Sequence, residues 1–149
     1  MKKTILLFVL VVFAGYAEAQ LVSPVKWSYA AKKLSSSEAE VYLKATIDKG
    51  WHIYSTKQKE GGPIKTSISF GRNAGYSLFG TLNEPKAASK YEKTFGMQVL
   101  YFESSALFRQ KIRLRGTGVV VVKGKVEFMV CNDHECLPPS EVEFSIPVK

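Results

Sequence analysis

Hydrophobic residues recur at every second position over most of the chain after its first twenty residues. Val41, Leu43, Ala45 and Ile47 alternate with Tyr42, Lys44 and Thr46. Phe108, Ile112 and Leu114 alternate with Arg109, Lys111, Arg113 and Arg115, giving one apolar and one strongly basic face. Val126, Phe128 and Val130 interleave with Lys125, Glu127 and Met129, and Val142, Phe144, Ile146 and Val148 with Glu141, Glu143 and Ser145. A period of two is the signature of a strand with one face buried. Shorter strands are predicted at Val25–Ala31, Thr66–Phe70 and Tyr76–Phe79. Turn-forming clusters separate these runs, among them Lys59-Glu60-Gly61-Gly62-Pro63, Gly71-Arg72-Asn73, Asn83-Glu84-Pro85 and Gly116-Thr117-Gly118.

Seven or more short strands, each with one apolar face, need a second sheet to cover them. The pattern therefore predicts an all-β protein, an immunoglobulin-like antiparallel β-sandwich in a single domain, with a small barrel as the alternative. No amphipathic helix is visible. Ser36–Glu40 offers the start of a short one, and the alternation from Val41 onward ends it. Lys86–Thr94 is polar and without period. It reads as a long loop, either a binding element or a plain connection.

The first residues break the β pattern. Lys2 and Lys3 precede an apolar run from Ile5 to Ala14, and Ala17-Glu18-Ala19 is a small-x-small cleavage site. This is the layout of a secretory signal peptide. Residues 1–19 are expected to be removed, leaving Gln20–Lys149 as a soluble, exported β-sandwich domain. Gln20 is no lipid-attachment cysteine, and no later run is apolar enough to cross a bilayer. The formal charge of +8 raises nucleic acid as a partner. Scattered lysines, export and the lack of any nucleic-acid motif argue against it. No catalytic triad and no phosphate-binding glycine loop is present.

The chain has two cysteines, Cys131 and Cys136. Two thiols sent to an oxidising compartment form either a fixed staple or a working redox pair. A bridge between them closes a very short loop, which in the loop-entropy account stabilises by ~2 kcal/mol or less. A domain of this size does not need such a staple. Pro138 and Pro139 hold the chain extended after Cys136 and donate no backbone hydrogen bond. His134, between the cysteines, favours a thiolate, whereas Asp133 and Glu135 oppose it. Cys131, His134, Cys136 and His52 also make up a donor set for zinc or copper, although C-x2-H-x-C is not a familiar zinc spacing. The residues alone leave a redox pair, an inert bridge in a protein-interaction module and a metal carrier open.

The run from Val130-Cys131 to Cys136-Leu137-Pro138-Pro139 resembles the N-terminal periplasmic domain of the thiol:disulfide interchange protein DsbD. In that family the second of two closely spaced cysteines is followed by an apolar residue and two prolines. Ile47-Asp48-Lys49-Gly50-Trp51-His52-Ile53-Tyr54 is similar to the family's turn and aromatic-rich strand, and Tyr91–Gly96 to its capping loop. The matches fall in the family's order. The resemblance implies an immunoglobulin-like sandwich with a redox pair near one edge. It implies that Cys136 forms mixed disulfides with partners and that Cys131 resolves them. Tyr54 matches an active-site tyrosine, His52 stands where an aromatic is common, and Phe95 is the matching cap. The chain departs from the family in having four residues between the cysteines, one fewer than its best-known form, and in Glu92 being followed by Lys93 rather than a second acid. The implied activity is a protein-disulfide reductase type of oxidoreductase without a cofactor, of a kind linked to cytochrome c biogenesis. Its partners would be a separate thioredoxin-like or membrane electron-donor protein and oxidised periplasmic client proteins.

Overall fold

The computed structural model describes residues 23–149. The expected signal peptide lies outside them. Eleven strands run in chain order: β1 (Val25–Lys33), β2 (Glu38–Ile47), β3 (His52–Tyr54), β4 (Ser67–Phe70), β5 (Tyr76–Asn83), β6 (Ala88–Glu92), β7 (Met97–Glu103), β8 (Ser105–Leu114), β9 (Val120–Phe128), β10 (Val130–Cys131) and β11 (Ser140–Val148). No helix occurs among the described residues.

Every pairing between these strands is antiparallel. One layer is a sheet of order β1-β2-β8-β5. Facing it are a sheet of order β11-β9-β4 and a sheet of order β10-β3-β7-β6. The core between the layers takes Val41, Leu43, Phe108 and Ile112 from the first, Val122, Val126, Phe144 and Ile146 from the second, and Ile53, Phe102 and Val130 from the third. Trp27 spans the gap, its ring 5.9 Å from Phe108 and 5.5 Å from Phe128. This is the immunoglobulin-like sandwich that the alternation predicts. The basic face of β8 points to solvent, with Arg109, Lys111 and Arg113 all exposed.

Three expectations need correction. Lys86–Thr94 is not a loop: Ala88–Glu92 is β6, paired with Met97–Glu103 in a hairpin. It is an edge strand, wet on both sides over most of its length, so no apolar period marks it. Ser36–Glu40 starts no helix; Glu38–Glu40 already pairs with β8. The run through Val130 is two strands rather than one, because the chain leaves β11 after Phe128 and joins β3 at Val130. Phe128 and Val130 face the same core, so the side-chain period continues across the break.

Candidate functional site

The chain crosses between layers after β2 through Asp48-Lys49-Gly50. Trp51 N–H donates to the Asp48 carbonyl at 3.1 Å, and Gly50 has φ of +85°, a conformation that favours glycine. The crossing delivers His52, Ile53 and Tyr54 as β3. Ile53 enters the main core. His52 and Tyr54 point to the other face of their sheet, where both are buried.

Cys131 sits opposite His52 in the β10–β3 pairing. It is 1% exposed and packs with Tyr54 and Val99 in a second, small core flanked by Met97, Tyr101 and Met129. A tight turn then reverses the chain. The Asn132 side-chain oxygen accepts from the backbone N–H groups of His134 and Glu135, each at 2.8 Å. Asn132 N–H donates to the Glu135 carbonyl at 2.9 Å, and Leu137 N–H to the Val130 carbonyl at 2.9 Å. Cys136 is thereby set across from Cys131 in an isolated bridge, with Cα atoms 4.0 Å apart and the sulfurs joined in a disulfide. The two half-cystines differ in access: Cys131 is buried and Cys136 exposed.

A cleft of about 340 Å³ lies over the disulfide, bounded by Tyr54, Glu92, Phe95, Met129, the 132–135 turn and both cysteines. Its far wall comes from the β6–β7 hairpin. Gly96 N–H donates to the Glu92 carbonyl at 2.8 Å, and Gly96 has φ of +65°. That turn holds Phe95 half-buried, edge-on to Tyr54 at 6.5 Å between ring centres. Lys90 pairs with Glu92 at 3.3 Å and stands 4.9 Å from the centre of the Tyr101 ring.

Behind the cleft His52 Nε2 and Tyr54 Oη are hydrogen-bonded at 3.2 Å. Burial pushes the Tyr54 hydroxyl up to about 12, helped by the Glu92 carboxylate. Burial also holds the His52 imidazole below its usual value. Lys90 adds to that effect, while Glu92, Glu103 and Asp133 oppose it. A neutral imidazole and a protonated phenol therefore stand beside the buried sulfur at neutral pH.

The structure thus gathers Cys131, Cys136, Tyr54, Phe95, Glu92 and His134 around one cleft, with His52 one step behind. Pro138 and Pro139 are exposed and lie outside the cleft lining. Asn132 and Met129 also line the cleft, beyond the residues the sequence points to. An asparagine at the start of a tight turn is the available signal for the first; for the second there was none. With both sulfurs bonded to each other, Cys131 and Cys136 present no thiolate to a metal in this state.

A two-layer antiparallel sandwich with a half-exposed disulfide in a cleft lined by aromatic side chains defines a class of disulfide-bearing immunoglobulin-like domains. The family model for the N-terminal domain of the thiol:disulfide interchange protein DsbD matches residues 18–147, and the chain belongs to that family. The fold is similar to the N-terminal periplasmic domain of ScsB from Proteus mirabilis, with a TM-score of 0.56 and 17% identity over 83% of this chain and 45% of that one. It is equally similar to a structure of the complex between the DsbD N-terminal and PilB N-terminal domains from Neisseria meningitidis, with a TM-score of 0.56 and 16% identity over 85% of this chain and 87% of that one. The chain thus spans less than half of the ScsB chain. No curated protein sequence matches it significantly.

Proposed function

We propose that this protein is a periplasmic thiol–disulfide interchange protein. The Cys131–Cys136 pair takes electrons from a thioredoxin-like or membrane electron-donor protein and passes them to oxidised exported proteins. One observation carries this reading: a disulfide between one buried and one exposed cysteine, in a cleft lined by the aromatic rings of Tyr54 and Phe95. An attacking thiolate must approach a disulfide sulfur directly, and access decides which sulfur is attacked. Here only Cys136 is open. The donor thiolate bonds to Cys136 Sγ, the Cys131–Cys136 bond breaks, and its electron pair stays on Cys131 Sγ. A second donor thiol then displaces Cys136, leaving the dithiol. Cys136, as the thiolate, attacks a client disulfide, and Cys131 resolves the adduct.

Family membership and the complex of the Neisseria relative with PilB support a protein as the exchange partner. Cleavage after Ala19 would release the domain to the periplasm. The test is trapping. A Cys131→Ala variant, incubated with an oxidised thioredoxin-like protein, should accumulate a mixed disulfide through Cys136. A Cys136→Ala variant should accumulate far less. Absence of any adduct with either variant would refute the proposal.

A further inference from the structure

Attack at Cys136 leaves the negative charge on Cys131, the buried member of the pair, and a buried anion without a hydrogen-bond donor is costly. The structure places one candidate donor system there. Cys131 packs against Tyr54, and its cross-strand neighbour is His52, on the same face of the sheet. His52 and Tyr54 share the 3.2 Å hydrogen bond, are both buried, and among the described residues have no other hydrogen-bond partner for these atoms. A phenol has one hydrogen to give. If it is given to His52, none is left for sulfur. If His52 carries its hydrogen on Nε2, it donates to Tyr54 Oη and turns the phenol hydrogen outward.

We infer that His52 is a positioning residue for thiol–disulfide exchange: it fixes the Tyr54 hydroxyl so that the phenol donates to the Cys131 thiolate as the disulfide opens. The inference rests on the interchange reading above and adds the group that stabilises the leaving sulfur. No proton needs to pass from His52 to sulfur. The donor thiolate supplies the electron pair, the S–S bond breaks, and the thiolate is held by the Tyr54 hydrogen bond until water protonates it or Cys131 attacks again. The charged groups facing His52 are Lys90 and Glu92 on β6, Glu103 on β7 and Asp133 in the cysteine turn. Glu92 and Asp133 also line the cleft, where their charge opposes a thiolate. A neutral donor chain on the inner side is therefore the stabilising contribution at hand.

The experiment isolates Cys131 in the full chain by Cys136→Ala and follows thiolate absorbance in the ultraviolet against pH. Loss of a hydrogen bond to a charged group is worth about a tenfold change or more. Adding His52→Phe, which keeps an aromatic ring and removes the donor, should raise the Cys131 pKa by about one unit. Tyr54→Phe should do the same, and the two together should do no more than either alone. His52→Gln, which keeps an N–H, should restore most of the effect. In the protein with both cysteines, His52→Phe should slow reduction by dithiothreitol about tenfold at pH 7. An unchanged Cys131 pKa in folded His52→Phe protein would overturn the inference, as would a His52→Gln shift as large as that of His52→Phe, or additive effects of the two aromatic substitutions. Because the probes are proton and dithiothreitol, these results stand apart from trapping with thioredoxin-like proteins, which tests the interchange reading itself.

Discussion

Cys131 lies directly opposite His52 where β10 pairs with β3, so the buried sulfur and the buried imidazole share one face of one sheet. That face points away from the main core. It forms its own small hydrophobic cluster with Tyr54 and Val99, and the disulfide belongs to this cluster. Opening the bridge therefore changes the polarity of a minor core and leaves the layer-to-layer packing of the sandwich alone.

The pairing has a consequence for stability against pH. An unfolded histidine titrates near 6.5, and burial lowers the folded value of His52. The unfolded chain then binds a proton that the folded chain refuses, so stability is full above about pH 6.5 and falls as pH drops through that value towards the folded pKa. Urea unfolding of the oxidised protein at pH 7.5 and pH 5 should show the loss. The His52→Phe variant should show a smaller loss between the same two conditions. Equal losses in the two proteins would remove His52 as the cause.

Phe95 lines the cleft from the hairpin tip, edge-on to Tyr54. It is only half-buried, so Phe95→Ala should cost about 1 kcal/mol of stability, below the value for a fully buried ring. Its effect on reactivity should be larger. Reduction of the disulfide by dithiothreitol should speed up several-fold as the ring is removed from the wall of the cleft that Cys136 lines. An unchanged rate would show that Phe95 is not a lid.

Gly124 answers to packing. It stands between Phe70 on β4 and Phe144 on β11, whose rings lie 5.6 Å apart. A Cβ at that position would run into the Ser69 carbonyl oxygen and would come within 2.5 Å of the Phe144 ring. Gly124→Ala should destabilise by about 1–3 kcal/mol, as overpacked cores do. The thermal midpoint should drop while the disulfide potential stays the same. A shift in potential without a loss of stability would contradict the separation of the two cores.

Tyr54 should be the last tyrosine to ionise. Its hydroxyl is pushed up to about 12 by burial. Ultraviolet titration of wild type against Tyr54→Phe should differ by one tyrosine that appears only near pH 12. Loss of an ordinary tyrosine step instead would mean that the ring is wet.

The long strands were legible because each buries one face: β2, β8, β9 and β11 all show the period-two pattern on which the sandwich rests. β7 is hidden in the sequence for the opposite reason. Val99 enters the small core and Phe102 the large one, so the run Val99-Leu100-Tyr101-Phe102 is apolar on both faces and shows no alternation. β6 looks like a loop in sequence because an edge strand buries too little to carry a period. The cysteine pair was legible as a pair, since no other thiol competes. Its place beside His52 was not, because register between β10 and β3 depends on a sheet change at Met129 that leaves the side-chain pattern unbroken.

The reduction potential of the Cys131–Cys136 pair tests the account most directly. Equilibration with a glutathione or dithiothreitol redox buffer, read by thiol alkylation, supplies it. A disulfide that works in exchange should lie above about −300 mV, within reach of thioredoxin-like dithiols. A value well below about −300 mV would mark an inert structural bridge and contradict the interchange function.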